Sequence, residues 1–125
     1  MSEDYSECNA QIESTRLGYD REVFAAAWIT LKYADGACQG FGGSVLDDKP
    51  TEPNGERQPT AWGMDYIFSL IRAVGVERWE DMKGKYVRVR FTGKFFDRKP
   101  FAIGHIIEDR WFDIHELAEK WGLEE

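Results

Sequence analysis

Histidine and cysteine are scarce in this chain, and their scarcity removes much of catalytic chemistry from consideration. The 125 residues contain two of each. Nucleophilic catalysis needs a Ser, Cys or Thr beside a positioned base, and zinc sites need clustered Cys and His. His105 and His115 fall in no such signature, and Cys8 and Cys38 have neither CxxC nor Cys/His spacing. The chain therefore reads as non-enzymatic, without a metal or another cofactor. His105 is expected as a strand residue paired across a sheet, and His115 as an exposed residue in the first turn of the last helix. No apolar run reaches membrane length and nothing resembles a signal peptide. A reducing cytoplasm, with both cysteines unpaired, is the expected setting.

Basic charge is also in short supply: 16 Lys and Arg against 23 Asp and Glu give a net charge of −7. Such a balance disfavours nonspecific attraction to nucleic acid or an anionic membrane and favours partners with a basic surface. One segment runs against it. Between Lys83 and Lys99 there are seven basic residues and the single acid Asp97. The cations interleave with Tyr86, Phe91, Phe95, Phe96 and Phe101, a pattern suited to stacking bases while tracking phosphates. Tyr86, Arg88, Arg90, Lys94 and Phe96 are the residues for that alternative. The paired carboxylates Asp47-Asp48, Glu80-Asp81 and Glu108-Asp109 sit at loops or element ends, where solvated acids are common.

What is present in abundance is aromatic and glycine residues: eight Phe, five Trp, five Tyr and twelve Gly. The length fits one domain able to fold on its own core. Residues 1–7 are polar and acidic and are expected to be a flexible N-terminus, with a single domain over 8–125. Asn9 to Leu17 reads as an edge strand. Val23 to Tyr33 reads as a strand entering a hairpin at Asp35-Gly36. Three of the four prolines fall between Asp47 and Pro59, marking a surface loop. Thr60 is a candidate N-cap for a helix whose stripe is Met64, Ile67, Phe68, Ile71 and Val74, closed by Gly75. A helical turn around Trp79 precedes the alternating strand Tyr86 to Phe91. After a hairpin loop, Phe101 to Glu108 is the last expected strand, and Asp113 to Glu116 has capping-box spacing for a short final helix. The fold class is α+β: a five-stranded, mainly antiparallel sheet in the order β-β-β-α-β-β-α, with one main helix on one face.

The most informative motif is Gln39-Gly40-Phe41-Gly42-Gly43, because glycine within a strand weakens it and needs a reason. It is no phosphate loop, lacking Lys-Ser/Thr and opening no helix. A two-residue turn at Asp35-Gly36 sets Tyr33 opposite Cys38, Ile29 opposite Gly42 and Trp28 opposite Gly43. Gly40 and Gly42 then lie on the helix-covered face. The other face would gather Trp28, Thr30, Lys32, Gln39, Phe41 and Gly43 as a candidate partner-binding surface.

Ser14 to Tyr19, Ala27 to Tyr33, Gln39 to Gly43, Gly63-Met64, Gly75-Val76, Trp79-Glu80 and Trp111-Phe112-Asp113 resemble a group of small uncharacterised proteins encoded by tailed phages and prophages. The resemblance runs from about Ile12 to Asp113 and carries no catalytic residues. It implies a setting in the cytoplasm of an infected bacterium. A small acidic protein there is expected to occupy a host or defence-system protein, as counter-defence or host-takeover inhibitors of the anti-CRISPR kind do, including one with a basic nucleic-acid-binding surface. The alternative is an accessory protein for single-stranded nucleic acid using residues 83–101.

Overall fold

Alternation of apolar residues along the strands builds one strongly curled sheet. The computed structural model describes residues 4–21, 24–50, 52–94 and 97–123. Strands β1 (Ser6–Asp20), β2 (Phe24–Tyr33), β3 (Cys38–Val45), β6 (Tyr86–Thr92), β7 (Lys99–Gly104) and β8 (Trp111–Asp113) form a six-stranded sheet in the order β3-β2-β1-β6-β7-β8. Every neighbouring pair is antiparallel. A two-stranded ribbon, β4 (Asp47–Asp48) with β5 (Gln58–Pro59), brackets the proline-rich loop. Helix α1 spans Ala61–Val74, a 3₁₀ turn spans Trp79–Asp81, and helix α2 spans Ile114–Lys120.

The expected α+β class and antiparallel sheet are present, and the strand count rises from five to six. The added strand is β8, whose Trp111 and Phe112 pair with Gly104 and Ile103. A three-residue strand is too short to show an alternation, so only its place beside β7 defines it. β7 itself ends at Gly104, because the chain turns at His105. The ordered sheet begins at Ser6, earlier than Cys8, since Ser6 and Glu7 pair with Phe91 and Arg90.

Flat strands about 4.8 Å apart would hold β3 and β8 about 24 Å from each other. Instead, Phe41 on β3 and Phe112 on β8 meet edge to face with ring centroids 6.1 Å apart. The sheet therefore wraps almost into a barrel. Register shifts at Ile12/Ser14, Ala26/Trp28 and Arg90/Phe91 supply bends along three of its five pairings. Ile12, Ile29, Leu31, Val87, Val89 and Ile103 point inward and are almost fully buried.

Thr60 caps α1 as its sequence position suggests, its hydroxyl accepting from the Gly63 N–H at 2.9 Å, and Gly75 ends the helix at φ 90°. The stripe is rotated from the expected one. Tyr66, Leu70, Ile71, Ala73 and Val74 are buried, whereas Met64 and Phe68 remain 58% and 47% exposed. Tyr66 decides this rotation by stacking edge to face on Phe112 at 4.8 Å. Asp113 caps α2 by accepting from the His115 and Glu116 N–H groups. Both helices cover the same concave side: Asp65 of α1 accepts from Lys120 Nζ at 2.8 Å and from the Trp121 indole at 2.8 Å. No helix among the described residues is long and apolar enough to cross a membrane.

Candidate binding face

Because both helices sit inside the curl, the convex face of the sheet carries no helix among the described residues. Its composition follows from register. Transverse rows of outward residues run Cys38, Lys32, Gln11, Tyr86 across four strands, then Asn9, Arg88, Gly104, Trp111 toward the far edge.

The six residues expected to share one surface are divided by the structure. Trp28, Thr30 and Lys32 lie on the convex face, with Gly43 beneath the Trp28 ring. Phe41 is in the core, 2% exposed. Gln39 pairs with Leu31 on the concave side, where its carbonyl accepts from Tyr33 Oη at 2.7 Å and its amide donates to the Arg98 carbonyl. The cause is the turn. Gly36 N–H donates to the Tyr33 carbonyl, Tyr33 N–H donates to the Ala37 carbonyl, and Gly36 sits at φ 89°. This is a type I turn with a glycine bulge, one residue longer than the assumed loop. Lys32 consequently faces Cys38, and Ile29 faces Phe41. A one-residue slip exchanges the two faces of β3.

The glycines of β3 have separate tasks. A Cβ at Gly43 would stand 2.3 Å from Trp28 Cζ2, and one at Gly40 would stand 3.4 Å from Trp28 Cζ3, so the indole lies flat along the strand. Its Nε1 donates to Asp20 at 3.0 Å. Gly42, at φ 100°, lets Tyr66 approach from the helix side, which retains for that glycine the expected packing role. Trp111 repeats the device at the far edge, its ring lying over Gly104. Sequence reasoning assigned no role to Trp111 or Gly104; a tryptophan two residues before a helix cap and a glycine ending a strand carry no signal until β7 and β8 are paired.

The two arginines of the basic set are already engaged. Arg88 donates from Nε to the His105 carbonyl and from Nη2 to the Glu108 carbonyl, each at 2.7 Å, with its guanidinium 4.8 Å from the Trp111 ring centre. Arg90 lies 3.7 Å over the same ring and donates to Glu7 at 3.2 Å. Tyr86 and Lys94 are exposed, and Phe96 lies outside the described residues. A guanidinium held by carbonyls, a carboxylate and an indole has few donors left for phosphate.

The remaining chemistry-bearing groups serve structure. His105 follows the end of β7 and accepts through Nδ1 from the Ile107 and Glu108 N–H groups, while His115 is exposed, its ring 5.4 Å from that of Phe101. Asp47 is buried and accepts from the Ala25 N–H and from Arg57 Nε. Glu108 pairs with Arg110, and Asp109 accepts from the Trp111 indole. Both cysteines are free; burial pushes the Cys8 thiol up, and the Cys38 thiol, also raised, donates to Glu13. The described residues contain no group of three His, Cys, Asp or Glu placed to hold a metal.

On the concave side, Trp62, Tyr66, Ile114, Leu117 and Leu123 line an apolar cleft of about 500 Å³. Tyr66 Oη is buried there without an aligned hydrogen bond, and burial pushes its pKa up to about 12, eased by the nearby Ser44 hydroxyl. No protein-family model matches the chain, and no curated protein matches it.

Proposed function

We propose that this is a non-enzymatic binding protein that occupies a partner protein with the convex face of its sheet. The supporting observation is Trp28, laid over glycines on the face that carries no helix among the described residues. Trp28 is 38% exposed while fixed by Asp20 and the β3 backbone. Rigid aromatic rings that lose little entropy on docking are the usual anchors of protein interfaces. The exposed Tyr86 and Lys32, in one row across the face, extend this surface.

The net charge of −7 supports a partner with a basic surface. The resemblance to small phage proteins supports a host or defence protein in that role, within an infected bacterial cytoplasm. The nucleic-acid alternative ranks lower because Arg88 and Arg90 are committed to Trp111, Glu7 and loop carbonyls.

The test is a pull-down from bacterial lysate with the tagged protein and two surface variants, Thr30→Arg, which sets a like charge against a basic partner, and Tyr86→Ala. The wild type retains a specific protein in near-stoichiometric amount, and the variants lose it while melting at the wild-type temperature. Recovery of no partner, or equal recovery by all three proteins, refutes this reading.

A further inference from the structure

β1 is longer than the strand beside it. β6 covers only Ser6–Gln11, and the last bonds on that side are Ile12 N–H to the Lys85 carbonyl at 2.8 Å and Gly84 N–H to the Ile12 carbonyl at 2.7 Å. From Glu13 to Asp20 the strand has β2 along one edge and, among the described residues, no strand along the other. Eight extended residues make an open edge roughly 26 Å long. The N–H and C=O groups of alternate residues face it, a template for another strand; Arg16 Nη2 of the same chain donates to the Tyr19 carbonyl at 2.8 Å, a bond that pairing exchanges for one from the facing strand.

Two features separate this edge from a solvated one. Leu17 and Tyr19, 44% and 63% exposed, point to the concave side and join Met64 and Ile67 around a groove of about 370 Å³. Gly18 sits between them, and nothing within its own chain demands a glycine there: its φ lies outside the left-handed region, and an added Cβ would meet no atom within 4 Å. A glycine inside a strand with no steric or conformational reason marks the approach of another backbone.

We propose that the occupant is a second copy of this chain, paired antiparallel through Glu13–Asp20 about a two-fold axis at Gly18. Charge complementarity selects the register. With Gly18 opposite Gly18, Arg16 of each copy faces Asp20 of the other on the convex side, and Leu17 of each faces Tyr19 of the other on the concave side. Each Arg16 also holds Asp20 of its own strand at 3.0 Å, so four charges alternate in sign across the axis. A shift of the axis to Leu17 sets Arg16 against Gly18 and Asp20 against Ser14, which loses both direct ion pairs. The closed symmetry needs only one self-complementary patch. Arg16 pairs with Trp28 and Asp20 holds its indole, so the edge adjoins the proposed binding face; self-association of the purified chain is read without any foreign partner, which keeps failure of this inference distinct from failure of the proposed function.

Sedimentation equilibrium on the full chain tests it. The wild type sediments as a dimer, Arg16→Asp sediments as a monomer with an unchanged circular-dichroism spectrum, and Arg16→Asp with Asp20→Arg recovers the dimer. In a Cys8→Ser, Cys38→Ser background, Gly18→Cys adds a thiol into open space at the axis, where facing strands bring Cα atoms within disulfide reach. Mild oxidation converts it to a covalent dimer, whereas Lys32→Cys, in the middle of the sheet, does not convert. A wild type that is monomeric at every concentration overturns the proposal, as does a dimer that survives Arg16→Asp and fails to crosslink at Gly18→Cys. Pairing of this edge with a foreign extended peptide by a monomeric protein counts against it equally.

Discussion

The indole of Trp28 lies on the backbone of Gly43, leaving 2.3 Å between its Cζ2 atom and the position a Cβ would take. Gly43 is also held at φ 81°. Gly43→Ala therefore combines left-handed strain with displacement of the ring, at a cost of about 2 to 4 kcal/mol. In a Trp28→Ala background the steric part disappears and only the backbone part remains. Urea denaturation of the two single variants and the double variant shows a coupling of about 1 kcal/mol or more; strictly additive losses contradict the contact.

Asp65 ties the two helices together and has a carboxyl pKa lowered to about 2, first by the hydrogen bond from Lys120, then by those from Ser69 and Trp121. A carboxylate whose folded pKa lies below its unfolded value stabilises the fold above the unfolded pKa. That contribution is complete above about pH 4 and is lost as the pH falls toward 2. Asp65→Asn removes this dependence. Melting temperatures recorded from pH 6 to pH 2 fall less steeply for the variant, and parallel curves for the two proteins would exclude the linkage.

Arg88 reads in sequence as a phosphate ligand and in structure as a strut for the loop after β7. Arg88→Ala loses two charge-assisted hydrogen bonds and a stacking contact, and unfolds at lower urea by about 2 to 3 kcal/mol. Fluorescence anisotropy with a labelled oligonucleotide at low salt is the same for variant and wild type. A loss of affinity with unchanged stability would return the basic segment to a binding role.

Tyr66 carries a buried hydroxyl that makes no aligned hydrogen bond. Tyr66→Phe keeps the ring against Phe112 and removes only the unpaired oxygen, so its stability equals the wild type's or exceeds it by up to about 1 kcal/mol. A loss of 1 kcal/mol or more in a thermal or urea melt would show that the Ser44 hydroxyl satisfies the phenol after all.

The fold was legible wherever a rule acts locally. Thr60 and Asp113 cap their helices through contacts within three residues, and Val87 and Val89 alternate with Arg88 and Arg90 regardless of what packs on them. The site was legible only in part. Trp28 and Lys32 fell on the face where the alternation of β2 puts them, but Phe41 moved to the core because a single extra turn residue shifted its strand. Arg88 and Arg90 lost their apparent freedom to Trp111, more than twenty residues away in the chain.

Local order along the chain settles the class of the fold, the caps and breaks of its helices, the excess of acid and the need to explain glycines in a strand. Those properties rest on bonds and dihedral angles set by near neighbours in the chain. The tertiary structure alone decided which face each β3 residue takes, which cations remain free, and that β1 outruns β6 to leave an edge around Gly18. Strand register and sheet curl depend on pairings between distant segments, and a slip of one residue there reverses every side chain while leaving local propensities unchanged.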